Sequence, residues 1–353
     1  MGASRRFRKR SYLAIALLVL LIFAWIDRCC HGTHTKQDSA SLDAQTETRS
    51  HDSQPSSLVS EKNQNFTVNL VIASTSKDDT TTAQYRPPVP RVGREAMIYH
   101  TYFHDFYDSL PDLSIMIHPH EKPWHIEPAL AQSMLFALNN LDLGVAHQRG
   151  YANLRVGWKE SCPDWVDTSR EYGDERRPME APYMAGAMYH NFGVYGSDLP
   201  RYFGGPCCSQ FVVTKEAVHR HPREQYKRST DWLAETSWPD WITGRTWEHM
   251  FPWMFTGNAV DCPMEWKVFC GMYHVCFKDP STITDINDLW EERQDLLDNM
   301  DLWQWMRHPQ IVMRSNSRVR EIEDIVRWEV ARAMARGQDE DIRRAASVNM
   351  FED

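Results

Sequence analysis

Phe66–Ala73, FTVNLVIA, is the stretch whose reading decides the fold. It is short, apolar and β-branched, follows a long polar segment, and so reads as a buried strand rather than a helix. Working outward, residues 94–107 place Ile98, Tyr102 and Phe106 at helical spacing. Pro111-Asp112 breaks that segment, and Leu113–Ile117 reads as a second strand. Pro128 opens a helix to about Leu141, with Leu130, Met134, Leu138 and Leu141 on one face and Gly144 beyond its end. Tyr151–Val156 and Gln210–Val213 are further strands, and Pro222 starts a helix carrying Tyr226 and Leu233. Strands alternating with helices predict a single α/β domain with a mostly parallel sheet.

Toward the C-terminus, 286–306 and 318–336 are predicted helices. The second aligns Val319, Ile322, Val326, Val330 and Ala333 and stops at Gly337, after which a loose polar tail is expected. Upstream of Phe66, residues 28–65 are rich in Ser, Thr, Gln, Asp and His, too polar to offset the entropy of ordering, and read as a disordered stem. Asn65-Phe66-Thr67 at its end is a glycosylation sequon.

Tyr12–Ile26, YLAIALLVLLIFAWI, carries no charge and follows Arg5, Arg6, Arg8, Lys9 and Arg10. A membrane-crossing helix needs roughly 20 apolar residues, and Phe7 and Ser11 extend the run. The basic block directs the N-terminus to the cytoplasm. A cleaved signal peptide is the alternative, but no small-x-small site follows the run. The expected layout is a basic tail (1–10), a transmembrane signal anchor in contact with the lipid bilayer (11–27), the stem (28–65), a lumenal α/β domain (66–285), and C-terminal helices with a tail (286–353). This layout predicts a single-pass type II protein of the secretory pathway, in the ER or Golgi. Cys29 and Cys30, beside the anchor, could be palmitoylated or pair between chains.

The chain has 353 residues and a net charge of −9, and the N-terminal cations make the remainder more acidic still. An acidic domain argues against a nucleic-acid partner, which needs a basic face. Eight cysteines are too few for a disulfide-dense mini-protein. Cys162, Cys207, Cys208, Cys262, Cys270 and Cys276 follow the stem, and an oxidising lumen favours disulfides over zinc, since no C-x-x-C occurs. The vicinal pair Cys207-Cys208 is expected to seek more distant partners.

Chemistry is most concentrated after the second strand, in His118, His120, Trp124, His125 and Glu127. In open α/β sheets, ligands bind beyond the carboxyl ends of strands. His118 and His120 could hold a divalent metal, contact phosphate or sugar hydroxyls, or cap the turn. Asp78 and Asp79 follow the first strand at the corresponding place, though an acidic surface turn would look the same. Gly244-Arg245-Thr246-Trp247-Glu248-His249 opens a helix that Pro252 should kink or end. Arg245 suits a diphosphate or carboxylate, and Glu248 among aromatics suits a general base, unless the two simply anchor the helix. No GxGxxG, P-loop, GxSxG elbow or D-x-D after a strand is present. All but one of the 14 Trp lie beyond the apolar span, as core or as sugar-stacking platforms.

Several stretches together resemble a fungal family of single-pass proteins known only as a domain of unknown function. They are NLVIAS (69–74), GREAMIYHTYFHDFYDSLPD (93–112), IMIHPH with Trp124-His125, GYANLRVGW (150–158), CCSQFVV (207–213), HPREQY (221–226), GRTWEHMF (244–251) and the cysteines to Cys276. The resemblance implies a layout similar to a lumenal, nucleotide-sugar-dependent glycosyltransferase. The chain departs from that pattern at Ser76-Lys77-Asp78-Asp79-Thr80 and at Pro252. On this reading Asp78, Asp79, His118, His120, Trp124 and His125 bind a nucleotide sugar and its glycan or small-molecule acceptor. Glu248 is then the base and Arg245 the diphosphate partner. The alternatives are a His-metal tailoring enzyme of fungal secondary metabolism and a non-catalytic, membrane-tethered interaction protein.

Overall fold

The computed structural model describes residues 65–74, 92–120, 125–169, 178–300 and 302–352. The predicted anchor and stem, Asp78, Asp79 and Trp124 lie outside the described residues, whereas Asn65 is described and exposed. Among the described residues, no helix is long and apolar enough to cross a membrane.

The chain runs β1 (Val68–Ile72), α1 (Arg94–Asp105), β2 (Leu113–Ile117), α2 (Met134–Asn140), α3 (Leu143–Arg149) and β3 (Tyr151–Asn153). It continues through β4 (Val166–Asp167), α4 (Met184–Phe192), β5 (Tyr202–Phe203), β6 (Phe211–Thr214), α5 (Lys215–Val218), α6 (Arg223–Glu235) and α7 (Asp240–Thr256). It ends with α8 (Glu265–Tyr273), α9 (Ser281–Asp298), α10 (Leu302–Arg307), α11 (Pro309–Arg336) and α12 (Glu340–Ser347).

The main sheet has the order β1-β2-β6-β3. Only β1 and β2 are parallel, with Val68 opposite Leu113 and Ile72 opposite Ile117, while β6 is antiparallel to both β2 and β3. The expected mostly parallel sheet is therefore corrected to a mixed one. Alternation and β-branching identify a strand but carry no information about its direction, which the long excursion between β3 and β6 decides. The first strand is also corrected, because β1 is an edge strand with Val68, Leu70 and Ile72 exposed.

Period-two alternation gives the sheet two apolar faces. Met116, Phe211, Val213 and Tyr151 pack on α1, α4, α6 and α7 through Tyr99, Phe103, Met184, Tyr226, Leu233, Trp247 and Phe251. Leu113, Ile115, Ile117, Val212 and Ala152 pack on the opposite layer, with Leu130, Met134, Ala146, Phe269 and Tyr273. α1 buries Tyr99, His100, Tyr102 and Phe103, so of the expected Ile98–Tyr102–Phe106 stripe Tyr102 lies in the core, Ile98 packs against it half-buried, and Phe106 is exposed. α9 and α11 close a separate cluster around Ile286, Ile322, Val326 and Val330. The tail expected to be loose instead forms α12 and packs on α8.

Two local departures have clear causes. α7 runs through Pro252 to Thr256 and begins at Asp240, so Gly244 lies inside it. A Cβ on Gly244 would meet Arg94 Cδ at 2.9 Å, and its absence lets α7 approach the start of α1. The disulfides are Cys162–Cys262, Cys270–Cys276 and the vicinal Cys207–Cys208. The last corrects the expectation of distant partners, since the other four cysteines are already joined in pairs.

Candidate functional site

The site forms where the carboxyl ends of the parallel pair meet the first turn of α1 and the middle of α7. α1 starts after Gly93, whose left-handed φ of 69° turns the chain. The Gly93 amide donates to Asp240 at the start of α7, and Arg94 Nε lies 3.9 Å from the same carboxylate. These ties hold Glu95 on α1 toward Glu248 on α7.

His118 leaves the end of β2 and is held on three sides. Its Nδ1 lies 3.2 Å from Glu95 Oε1, and its Nε2 lies 3.1 Å from the Cys208 carbonyl. Its backbone N–H donates to Gln210 Oε1 at 3.3 Å. A carbonyl only accepts, so Nε2 carries a proton, and a carboxylate at Nδ1 favours a second one. Burial works against that charge, but the hydrogen bond and charge of Glu95, with smaller help from the Cys208 carbonyl and Glu248, raise the His118 pKa overall. Burial likewise pushes the Glu95 carboxyl up, and the His118 contacts outweigh it, leaving Glu95 below its ordinary value. The pair is ionised between the lowered Glu95 value and the raised His118 value. His125, with ring centroids 4.9 Å from His118, is driven to about 4 by burial and by the neighbouring charges of His118 and Arg155. Between about 4 and the raised His118 value, one imidazole is therefore charged and its neighbour neutral.

Glu248 behaves differently. Burial is the main force raising its carboxyl pKa; the charges of Glu95 and Glu180 add to it, and His249 and Arg245 oppose it. Among the described residues no hydrogen-bond donor holds this carboxylate. Pro252 has no N–H, so the carbonyl of Glu248, four residues earlier, lacks its helical partner. Tyr99 lies within reach of the charges of both Glu95 and Glu248. Burial first, then those carboxylates, raises its pKa well above normal, and its buried hydroxyl has no hydrogen-bond partner among the described residues.

The other side of α7 is an ion-pair network. Arg245 Nη1 lies 3.4 Å from Glu180 Oε2, and His249 Nε2 lies 2.9 Å from Glu180 Oε1. Burial pushes Glu180 up, but the hydrogen bond and charge of His249 and the charge of Arg245 bring it below its ordinary value. Arg245 is thus anchored at one end while its side chain remains 44% exposed.

Of the residues singled out in the sequence, His118, His125, Glu248 and Arg245 share this neighbourhood. His120 is exposed, and no three His, Cys, Asp or Glu side chains among the described residues converge as a metal site. Both His118 nitrogens are already engaged. Sequence reasoning missed Glu95, Glu180 and His249. The i, i+4 spacing of Arg245 and His249 was a readable signal of a shared anion on one helix face, whereas Glu95 was hidden because its stretch was read for apolar spacing alone.

The family described as Protein of unknown function (DUF3431) matches residues 51–271, and the chain belongs to it. That span includes every site residue named above and ends before α9–α12. A search of curated proteins and of solved structures finds no match.

Proposed function

We propose that the chain is a group-transfer enzyme of the glycosyl-transfer type, taking a nucleotide sugar and a hydroxyl acceptor. The observation that carries this reading is Glu248, a carboxyl raised by burial and by two like charges, with no donor among the described residues holding it. Glu248 accepts the proton of the acceptor hydroxyl as the acceptor oxygen bonds to the anomeric carbon, and the bond to the nucleoside diphosphate breaks with its electron pair leaving on phosphate. The charged His118 and the exposed end of Arg245 offer cations to the departing diphosphate. Neutral His125 offers a hydrogen bond to donor or acceptor. The position of the site at the carboxyl ends of β1 and β2 supports the same reading, because ligands of α/β sheets favour such crevices. A type II anchor with a lumenal domain remains part of the proposal.

The test is incubation of the full chain with UDP-sugars and GDP-sugars, reading thermal stabilisation and release of nucleoside diphosphate. The expected result is stabilisation by at least one donor, with turnover abolished in Glu248→Gln while stabilisation persists. Absence of stabilisation by every nucleotide sugar, or full turnover in Glu248→Gln, would overturn the reading.

A further inference from the structure

We propose that the Cys207–Cys208 pair is a thiol–disulfide exchange site, opened by dithiols through attack on Cys207 with Cys208 as the leaving group. The pair lies in the segment between β5 and β6, and the proton chemistry described above does not use it. Cys207 is half-buried and so reachable, whereas Cys208 is only 6% exposed. An incoming thiolate therefore meets the Cys207 sulfur first. Arg155 Nη1 sits against both sulfurs, 3.4 Å from Cys208 Sγ and nearer still to Cys207 Sγ. A guanidinium against both sulfurs stabilises the Cys208 thiolate that leaves in the first step and the Cys207 thiolate that leaves in the second, and a better leaving thiolate departs faster.

The electrons balance in two steps. The external thiolate forms a mixed disulfide with Cys207 Sγ as the Cys207–Cys208 bond breaks and its electron pair goes to Cys208. The second thiol of the same reductant, as its thiolate, then attacks the mixed disulfide. This releases the oxidised reductant and leaves Cys207 and Cys208 as thiols, so two electrons pass from reductant to protein.

Opening the pair has a local consequence. Cys208 and Ser209 hold left-handed φ angles of 89° and 45°, which are costly for residues with a side chain. The same turn presents the Cys208 carbonyl and the Gln210 side chain to His118. Releasing the link lets the turn relax and alters the setting of His118. The third disulfide offers a contrast, since Cys270 and Cys276 are 4% and 1% exposed and are covered by Ala346 of α12.

The experiment treats the native full chain with dithiothreitol, quenches with N-ethylmaleimide, and maps labels by peptide mass. Without denaturant, Cys207 and Cys208 should label about ten-fold or more faster than Cys162, Cys262, Cys270 and Cys276. Opening should slow about ten-fold in Arg155→Gln and recover in part in Arg155→Lys. The His118 ring NMR signals should shift on reduction of wild type. Labelling of the vicinal pair no faster than that of the other cysteines overturns the proposal. So does an Arg155→Gln variant that opens at the wild-type rate. If Arg155→Gln does not fold, the wild-type labelling order decides alone. No step of the test depends on sugar transfer, so its failure is separable from failure of the proposed function.

Discussion

Glu248 and Glu127 belong to helical layers on opposite faces of one sheet, and burial is the main force raising the carboxyl of each. Their surroundings then diverge. Glu127 Oε1 accepts the N–H groups of Val156 and Gly157 at 2.9 and 2.7 Å, and Arg155 Nε lies 3.5 Å away. Through Oε1 that carboxylate fastens the chain leaving β3, while Oε2 is buried with no hydrogen-bond partner among the described residues. Glu248 faces like charges and no donor among the described residues, so its proton affinity is not committed to backbone. Burial alone does not mark a reactive carboxyl; what matters is whether donors have already claimed it.

The sharpest way to break this comparison is kinetic. Glu248→Gln should lower turnover by about 10²–10⁴-fold, the range for a lost general base, whereas Glu127→Gln should leave turnover within a few-fold. Equal losses in the two variants would erase the distinction. Next in size is stability. Glu127→Ala should cost about 2–4 kcal/mol in urea unfolding, because two backbone donors and Arg155 lose their acceptor in a buried site. A change under 0.5 kcal/mol would show that Glu127 fastens nothing. A smaller effect concerns Arg245, whose link to Glu180 leaves one end exposed. Arg245→Gln should lower kcat several-fold as well as raise KM for the donor, measured by steady-state kinetics, because its cation meets charge that grows on the departing diphosphate.

The smallest effect has the most telling sign. A carboxyl whose pKa is raised on folding contributes stability at low pH, and that contribution is lost as pH rises through the folded value. Above its raised value, where Glu248 is ionised, the carboxylate therefore opposes folding, and Glu248→Gln should raise Tm slightly there while removing activity. A fall in Tm would mean that Glu248 carries a structural contact after all. The same shift places the acid limb of the rate profile above the ordinary glutamate value of 4.5, because the base must be deprotonated to act.

Much of this architecture could be read locally. Leu113–Ile117 is a short, mostly apolar run flanked by breakers, so its bounds were visible, and the stripe from Val319 to Ala333 marked α11. The direction of β6 was not visible, because side-chain alternation is the same for a strand run either way. Nor were the partners of the site. Glu95 meets His118 and Glu180 meets His249 across wide sequence gaps, the second spanning 69 positions. Arg245 and Glu248 were identifiable on α7, but the network around Glu180 divides them, giving Arg245 an anchor and leaving Glu248 unheld. The vicinal disulfide was missed because the pairing of Cys162 with Cys262 and of Cys270 with Cys276 depends on the folded arrangement.

The most direct test of the poised carboxyl is a ¹³C NMR titration of glutamate side-chain carboxyls in the full chain. The Glu248 signal is assigned by its absence in Glu248→Gln, and the titration is repeated in Glu95→Gln. The account predicts a Glu248 midpoint clearly above 4.5 that falls when the Glu95 charge is removed. A Glu248 midpoint at or below 4.5, unmoved by Glu95→Gln, would contradict it.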